Sequence, residues 1–131
     1  MKLNLVSKKV HRASLEAIQG EPPKKKNKAN VTISNEIYGN AKDPNLVRIR
    51  YAVAVIIDNV TKLDIDYDFD FKTDSEITSE FANSIEVRSS APSLAYPYIK
   101  SYAEQLISLS GLGYYNLPYF DFISDPFDKS E

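Results

Sequence analysis

Residues 98–109 restrict the fold more than any other part of the sequence. On an α-helical wheel, the apolar side chains of this stretch fall on one half and the polar side chains on the other. The apolar half consists of Tyr98, Ile99, Tyr102, Ala103, Leu106, Ile107 and Leu109. A helix that docks on one sheet needs an apolar stripe of only about 100°, and this stripe is nearly twice as wide. We therefore expect a long amphipathic helix that contacts a second surface besides a sheet.

The sequence also marks both ends of this helix. Pro92 suits a first helical turn, where its missing N–H costs no hydrogen bond. Pro97 removes one backbone hydrogen bond from a helix that begins at Pro92 and should kink it. Gly111 can adopt the positive φ that ends a helix after Ser110. Residues 114–122, which follow, are rich in aromatic side chains and are predicted to form an irregular apolar segment.

Prolines and aromatic residues stand at characteristic positions around the helix. They are Pro92, Leu94, Tyr96, Pro97 and Tyr98 at its start, and Leu117, Pro118 and Phe122 after the glycine. This pattern resembles the SecB family of protein-export chaperones. The sequence departs from the family at Ile99-Lys100, at Asp121, and in residues 123–131, which stand in place of the family's second helix and acidic tail.

Four stretches before the helix have strand patterns, namely residues 3–18, 31–38, 46–58 and 64–71. The first does not keep its apolar residues on one parity, so we expect a bulge or bend near residues 7–9. Residues 20–29 contain two prolines and a run of lysines and are predicted to form a loop. A short helix is predicted from Thr78 or Ser79. The chain is therefore expected to be a single α+β domain over residues 1–131, with a four-stranded antiparallel sheet packed on one long C-terminal helix, as the resemblance to SecB also implies.

Residues 64–71 alternate strictly between aspartate and an apolar residue. The apolar set, predicted to face the core, is Ile65, Tyr67, Phe69 and Phe71. The other face carries Asp64, Asp66, Asp68 and Asp70. Neighbouring carboxylates repel one another unless cations lie beside them, and Arg48 and Arg50 of the preceding strand are suited to that role.

Two uses of this acidic face remain open, a solvated surface or a docking surface for a basic partner. A calcium site is disfavoured, because a flat strand cannot wrap its oxygens around one ion. The SecB family docks the export motor SecA through an acidic patch on its sheet, so the resemblance implies the second use.

The composition excludes several classes of function. The net charge is −2, so no nucleic-acid partner is expected. The sequence has no cysteine, and His11 is its only histidine, so no metal or other cofactor is expected. No nucleophile with a base, Gly-rich phosphate loop or acid–base carboxylate pair is present, and the chain is not expected to be an enzyme. No apolar run reaches the about 20 residues of a membrane span, and no secretory signal follows Met1, so we expect a cytoplasmic protein without direct membrane insertion.

The apolar surface predicted for this chain exceeds what one sheet and one helix can bury. Residues 51–57 are apolar on both faces of their strand, and the segment after the helix is crowded with aromatic side chains. One part of the surplus is predicted to form a groove for unfolded client polypeptides, comprising Tyr98, Tyr102, Tyr114, Tyr115, Leu117, Tyr119, Phe120 and Phe122. Another part is predicted to pair copies of the chain through Ile99, Ala103, Leu106 and Ile107.

The resemblance to SecB implies the same division of the surface. Proteins of that family are homotetramers, built as dimers of dimers, that hold unfolded clients in apolar grooves without ATP. We therefore expect an ATP-independent chaperone whose client is a preprotein for export or a dedicated client such as an antitoxin, since relatives of the family also serve toxin–antitoxin modules. The alternative is an adaptor or immunity-type protein that binds one folded basic partner through its acidic sheet face.

Overall fold

The computed structural model describes residues 1–25 and 28–129. Its elements are the strands β1 (Leu3–Ala17), β2 (Ala29–Gly39), β3 (Leu46–Ile57) and β4 (Thr61–Thr73) and the helix α1 (Ala91–Leu109). The predicted α+β architecture, a four-stranded antiparallel sheet with one long C-terminal helix, is confirmed. The loop predicted over residues 20–29 and the tail predicted over residues 123–131 extend over residues 26–27 and 130–131, which lie outside the described residues.

The strands follow the order β1-β4-β3-β2 across the sheet, and each neighbouring pair is antiparallel. β2, β3 and β4 form a meander, whereas β1 lies at the opposite edge from β2, against β4. The connection between β1 and β2 therefore carries the chain from one edge of the sheet to the other. In the interior of the sheet, Tyr51 of β3 pairs with Asn35 of β2 on one side and with Tyr67 of β4 on the other.

Each of the two interior strands, β3 and β4, has one face toward the core and one toward the outside, as its alternating sequence predicts. The buried face consists of Val47, Ile49, Tyr51, Val53, Val55, Ile57, Leu63, Ile65, Tyr67, Phe69 and Phe71. The outer face carries Arg48 and Arg50 of β3 and the four aspartates of β4. The core therefore lies on one side of the sheet, and the charged side chains lie on the other.

β1 departs from regular pairing at two residues. Val6 and His11 have no partner in β4, and the register shifts at each of them. The irregularity predicted near residues 7–9 is confirmed, since the two bulges flank this stretch and its own residues pair regularly with β4. Each extra residue resets the alternation, which explains why Leu5 and Val10 both pack against the core although they are of opposite parity.

Where the sequence predicts one short helix from Thr78 or Ser79, the chain between β4 and α1 forms two short helical turns. A 3-10 turn spans Phe81–Asn83, and a π-helical turn spans Glu86–Ser90. The Ser84 hydroxyl donates a hydrogen bond of 2.6 Å to the Phe81 carbonyl, and such a local bond competes with the α-helical pattern. The π-helical turn leads directly into α1 at Ala91.

α1 ends where the sequence predicts. Gly111 has φ +84°, and its N–H donates to the Ser108 carbonyl at 3.1 Å. The N–H of Leu112 donates to the Ile107 carbonyl at 3.3 Å. These two bonds form a Schellman motif, which requires a residue at positive φ. The following residues, 112–122, return along the helix, and we call them the ribbon.

The connection between β1 and β2 is held against the turn that joins β3 to β4. The N–H of Asp58 donates to the Lys28 carbonyl at 2.8 Å, and the N–H of Lys28 donates to the Asp58 carboxylate at 2.9 Å. Gly20 packs so closely on this turn that a Cβ at position 20 would lie 2.0 Å from the Asn59 carbonyl oxygen. Only glycine fits at that position, and the contacts fix Asp58 in place.

Candidate functional site

Two different structures cover the buried face of the sheet. α1 lies over β4, where the Tyr102 ring stands 5.8 Å from the Tyr67 ring. The ribbon and the tail that follows it lie over the other part of the face, where the Phe127 ring stands 6.2 Å from the ring of Tyr51 in β3. We call these two parts the helix half and the ribbon half of the core.

In the helix half, small and branched side chains pack directly on the sheet. Ala95, Ile99, Ala103 and Ile107 follow one another at a spacing of four residues, and each is 0% exposed. This spacing keeps a narrow stripe of the helix toward the sheet. Leu94 and Leu109 are 46% and 85% exposed. Tyr98 is 44% exposed, and its ring lies 6.2 Å from the ring of Phe69 in β4. The wide apolar arc of the sequence is therefore only partly buried within one chain.

The ribbon is tied to the helix along its length. The Tyr96 hydroxyl donates to the Pro118 carbonyl at 2.6 Å, and the Leu117 N–H donates to the Glu104 carboxylate at 2.7 Å. Tyr96 is 2% exposed, and burial raises the pKa of its hydroxyl to about 12. The ribbon has no regular secondary structure to pair its backbone groups, so these side-chain bonds satisfy the Pro118 carbonyl and the Leu117 N–H instead.

A third anchor ties the ribbon to the sheet. The Tyr115 hydroxyl donates a hydrogen bond to the buried carboxylate of Asp58, which lies at the turn between β3 and β4. This bond raises the pKa of Tyr115 to about 12. Asp58 therefore holds both the connection from β1 to β2 and the start of the ribbon.

A cavity of about 460 Å³ opens between the ribbon half and β2. Residues 33–35 of β2 form one wall, and residues 120–122 and 125–128 form the other. Among the described residues, β2 pairs only with β3 and is an edge strand. Its second backbone edge therefore runs beside the cavity, and an extended chain can pair with an edge of this kind.

Aromatic rings form the apolar lining of this cavity. The rings of Phe120 and Phe122 stand 5.8 Å apart, and the Tyr96 ring meets the Phe120 ring edge to face at 5.0 Å. Phe127 meets Phe122 edge to face at 5.4 Å. Such contacts stabilise aromatic clusters beyond the area that they bury. The lining offers large apolar surfaces to a bound side chain without demanding one sequence.

The rim of the cavity is acidic. Asp121, Asp125 and Asp128 line it. The Ser124 hydroxyl and the N–H groups of Ser124 and Ile123 donate hydrogen bonds to the Asp121 carboxylate and lower its pKa. Asp121 therefore stays ionised at neutral pH and also holds the turn that follows Phe122.

Arg88 fixes the tail against the body of the protein. Its Nε donates to the Phe127 carbonyl at 2.7 Å, and the Phe127 N–H donates to the Arg88 carbonyl at 2.9 Å. Arg88 belongs to the π-helical turn before α1. The wall of the cavity at residues 125–128 thus depends on one residue that lies far from it in sequence.

The residues predicted to line a client groove do not share one surface. Phe120 and Phe122 line the cavity, and their role in client binding stays a prediction. Tyr115 and Leu117 are 8% and 2% exposed, because they anchor the ribbon to the core. Phe122 is as enclosed as these two, at 4% exposed, although it borders the cavity. Side chains this enclosed offer little surface to a client in the conformation described, and Tyr115 and Leu117 do not line the cavity.

The other four predicted groove residues lie elsewhere. Tyr98 and Tyr102 belong to the helix half. Tyr114 and Tyr119 project into solvent and are 88% and 80% exposed. Tyr114 lines a separate pocket of about 340 Å³ beside Leu109. A role of these four residues in client binding stays a prediction.

The predicted interface between copies of the chain needs a correction. Ile99, Ala103 and Ile107 have no accessible surface because the sheet of the same chain covers them. They cannot contact a second copy, and the prediction is wrong for these three residues. Leu106 is half-buried, so only this member of the set retains surface for such a contact.

The aspartates of β4 lie on the outer face of the sheet, and each has a cation beside it. The closest N···O distances are 3.7 Å for Asp64 with Lys62, 3.5 Å for Asp66 with Arg12, 2.7 Å for Asp68 with Arg50 and 2.8 Å for Asp70 with Arg48. The two arginines of β3 bind their aspartates through two nitrogens each. The bond from Arg48 lowers the pKa of Asp70.

These ion pairs change the character of the predicted docking face. Paired carboxylates attract a basic partner less than free ones do, because the neighbouring cation already compensates their charge. Between the pairs, Ala52 and Ala54 form the floor of a shallow trough of about 260 Å³. Docking of a partner on this face stays a prediction.

Eight of the ten described residues that line the cavity were missing from the predicted site, among them Ile33, Asn35 and Phe127. Ile33 and Asn35 become site residues only because β2 lies at the edge of the sheet, and strand order leaves no mark in the sequence. Phe127 belongs to the same aromatic cluster as Phe120 and Phe122, and the density of aromatic residues after Gly113 was the signal that could have included it.

Within the described residues, no group of His, Cys, Asp or Glu side chains is arranged to hold a metal ion. No helix formed by these residues is long and apolar enough to cross a membrane.

No protein-family model matches the chain, and no curated protein matches its sequence. Among solved structures, the chain is similar to a SecB-like chaperone of Mycobacterium tuberculosis in complex with a ChAD peptide from the HigA1 antitoxin, with a TM-score of 0.73 and 14% sequence identity over 91% of this chain and 88% of that chain. It is also similar to a protein of unknown function from Streptococcus agalactiae, with a TM-score of 0.56 and 10% identity over 91% of this chain and 98% of that chain. At these identities the likeness shows the fold alone. The SecB-like fold implied by the sequence resemblance is confirmed.

Proposed function

We propose that this chain is an ATP-independent chaperone that holds an extended segment of an unfolded or unstable client polypeptide. The segment lies in the cavity between β2 and residues 120–128. The observation that carries this proposal is the combination of an aromatic lining with a free strand edge in one cavity. Each feature alone is common, but together they match an extended, partly apolar chain.

The geometry suits strand addition. A client segment in β conformation pairs its backbone with the free edge of β2, which requires no particular sequence. Its side chains alternate in direction, so every second one points toward Phe120, Phe122 and Ile33. Backbone pairing supplies affinity, and the aromatic lining selects segments with large apolar side chains.

Binding of this kind protects a client by mass action. A protein that binds the unfolded state lowers the concentration of free unfolded chains, from which aggregates grow. Nucleotide hydrolysis is not needed, because release follows from dissociation and subsequent folding or transfer of the client.

The comparisons support a polypeptide client. The similar SecB-like chaperone is in complex with a peptide from an antitoxin, which favours a dedicated client such as an antitoxin over a preprotein for export. Assembly into a homotetramer and a cytoplasmic location are further parts of the proposal that rest on the resemblance to SecB. Docking of SecA has the least support, because the aspartates that would attract it are already paired with cations.

A direct test measures whether the purified chain, without ATP, suppresses aggregation of an unrelated, chemically denatured protein on dilution. Light-scattering mass on the same sample gives the oligomeric state. We expect suppression, and we expect Phe120→Ala to weaken client binding at least about tenfold, or about 1.4 kcal/mol. Ile123→Ala is the matched control, since Ile123 follows Phe122 directly but is 72% exposed and does not line the cavity.

The salt dependence separates this function from that of an adaptor with an acidic docking face. Apolar binding in the cavity should change little with ionic strength. The proposal is wrong if the chain suppresses no aggregation, or if Asp66→Lys abolishes partner binding while Phe120→Ala leaves it unchanged.

A further inference from the structure

Tyr51 carries a buried hydroxyl without a partner. Its side chain is 0% exposed, and within the described part of the chain its hydroxyl forms no hydrogen bond. Burial strongly raises the pKa of this hydroxyl. A buried polar group without a partner destabilises the state that contains it. Phenylalanine would fill the same space without this penalty, so the hydroxyl calls for an explanation.

Tyr51 packs against Phe127, a half-buried residue of the cavity wall. Its ring meets the Phe127 ring edge to face, with 6.2 Å between the centroids. Phe127 is only half-buried, in contrast to the enclosed rings of Phe69 and Phe71. It belongs to a segment without regular secondary structure, where Arg88 supplies both of its hydrogen bonds. Segments with few buried contacts open at low free-energy cost.

The position of Phe127 is also the position that a client would need. Phe127 lines the cavity together with Phe120 and Phe122, and its ring completes the aromatic cluster at the end next to Tyr51. Tyr51 pairs with Asn35 of β2, and Asn35 lies on the wall opposite Phe127. A client strand on the edge of β2 would therefore pass close to the space that Phe127 fills.

On the basis of the function proposed above, we propose that Phe127 is a built-in substitute for a client side chain. An aromatic side chain of the client displaces Phe127 and takes its place against Phe122 and Tyr51. The displacement gives the Tyr51 hydroxyl access to the client, where it donates a hydrogen bond to a carbonyl or side-chain oxygen next to the aromatic residue. The site therefore selects segments in which an aromatic residue lies beside a hydrogen-bond acceptor.

The exchange is close to balanced in apolar area, because one aromatic ring replaces another. The closed state keeps the Tyr51 hydroxyl unpaired, whereas the client-bound state pairs it. The unpaired hydroxyl thus destabilises the closed state, and the client favours the open one because its own ring refills the space that Phe127 leaves.

A single tryptophan can report the displacement, because the sequence contains none. Phe127→Trp is titrated with a synthetic, tryptophan-free peptide in which Phe and Leu alternate with Ser and Lys. We expect a red shift of the emission and stronger acrylamide quenching at the peptide concentrations at which anisotropy of a labelled peptide shows binding. Phe81→Trp is the control, since Phe81 is 3% exposed and outside the cavity, and its emission should stay constant.

Two further variants test the inference without a tryptophan. Tyr51→Phe should raise the melting temperature of the free chain and weaken peptide binding about tenfold, since it removes both the unpaired group and the bond to the client. Phe127→Ala should strengthen peptide binding about threefold to tenfold, because it removes the competitor. A purely structural role of either residue would not move stability and affinity in opposite directions.

The outcomes separate the two proposals. If the unmodified chain binds the peptide and suppresses aggregation but Phe127→Trp keeps its emission, or if Tyr51→Phe and Phe127→Ala leave the affinity unchanged, Phe127 is not a substitute for a client side chain and the chaperone function stands. If the unmodified chain neither binds the peptide nor suppresses aggregation, both proposals are wrong.

Discussion

The helix half and the ribbon half bury the same face of one sheet by different means. In the helix half, α1 satisfies its own backbone and packs Ala95, Ile99, Ala103 and Ile107 on the strands with no accessible surface. The ribbon half relies on a few side-chain hydrogen bonds to hold an irregular chain, and it leaves a cavity of about 460 Å³ beside β2. A regular element thus forms the permanent core, whereas a loosely tied one can exchange its contacts with another chain.

The largest change in the free energy of unfolding is expected in the helix half, where side chains are fully enclosed. Ile99→Ala should lower the free energy of unfolding by about 2–5 kcal/mol, because the enclosed site cannot refill the space. Leu94→Ala, on the exposed side of the same helix, should change it by about 0.5 kcal/mol or less. Urea denaturation monitored by circular dichroism measures both. Equal losses for the two variants would mean that the helix half is no better packed than its surface.

An intermediate effect is expected where the ribbon is tied to the sheet. Tyr115→Phe removes the hydrogen bond to the buried Asp58 carboxylate and should cost about 1.5–3 kcal/mol. Tyr114→Phe, at a residue 88% exposed, should be neutral. Hydrogen exchange should show the loss of protection in residues 112–117 before it reaches β3 and β4. Uniform loss across the protein would contradict the distinction between the two halves.

The smallest effect is expected at alkaline pH, and it concerns the ribbon half. The pKa values of Tyr96 and Tyr115 are raised to about 12, whereas an unfolded tyrosine titrates near about 10. The folded state therefore favours the neutral hydroxyls. Their contribution to stability is fully present below about pH 10 and is lost as the pH rises toward about 12.

Tyrosinate absorbance, followed together with far-ultraviolet circular dichroism, measures this loss. We expect Tyr96 and Tyr115 to titrate while the sheet signal persists, because the ribbon opens first. Tyr96→Phe and Tyr115→Phe should each remove part of the late absorbance change. Simultaneous loss of both signals would show that the ribbon and the sheet unfold as one unit.

Features set by local geometry could be predicted from the sequence. The alternation of residues 64–71 predicts which side chains face the core, because it follows from the period of a strand. Gly111 predicts the end of α1, because glycine readily adopts the positive φ found there. The helical wheel showed an apolar arc wider than one sheet can cover. It sorts residues by polarity alone and cannot show which of them, such as Leu109, remain exposed.

Features set by strand order could not be predicted. Phe120 and Phe122 were identified as site residues because their aromatic density is visible in the sequence. Ile33 and Asn35 were not, because they line the cavity only through the position of β2 at the edge. Alternation along a strand shows which side chains share a face of the sheet, but it does not show which strands lie on either side.

The pairing of β1 with β4 has a consequence for folding during synthesis. β2, β3 and β4 can form hairpins between neighbours, but Leu3 must find Thr73 across the whole meander. Closing that long loop is slow relative to hairpin formation. On the ribosome, β1 emerges well before its partner exists and must wait without pairing elsewhere. The lysines at positions 8 and 9 keep β1 from presenting an uninterrupted apolar edge, which disfavours premature pairing of the nascent strand.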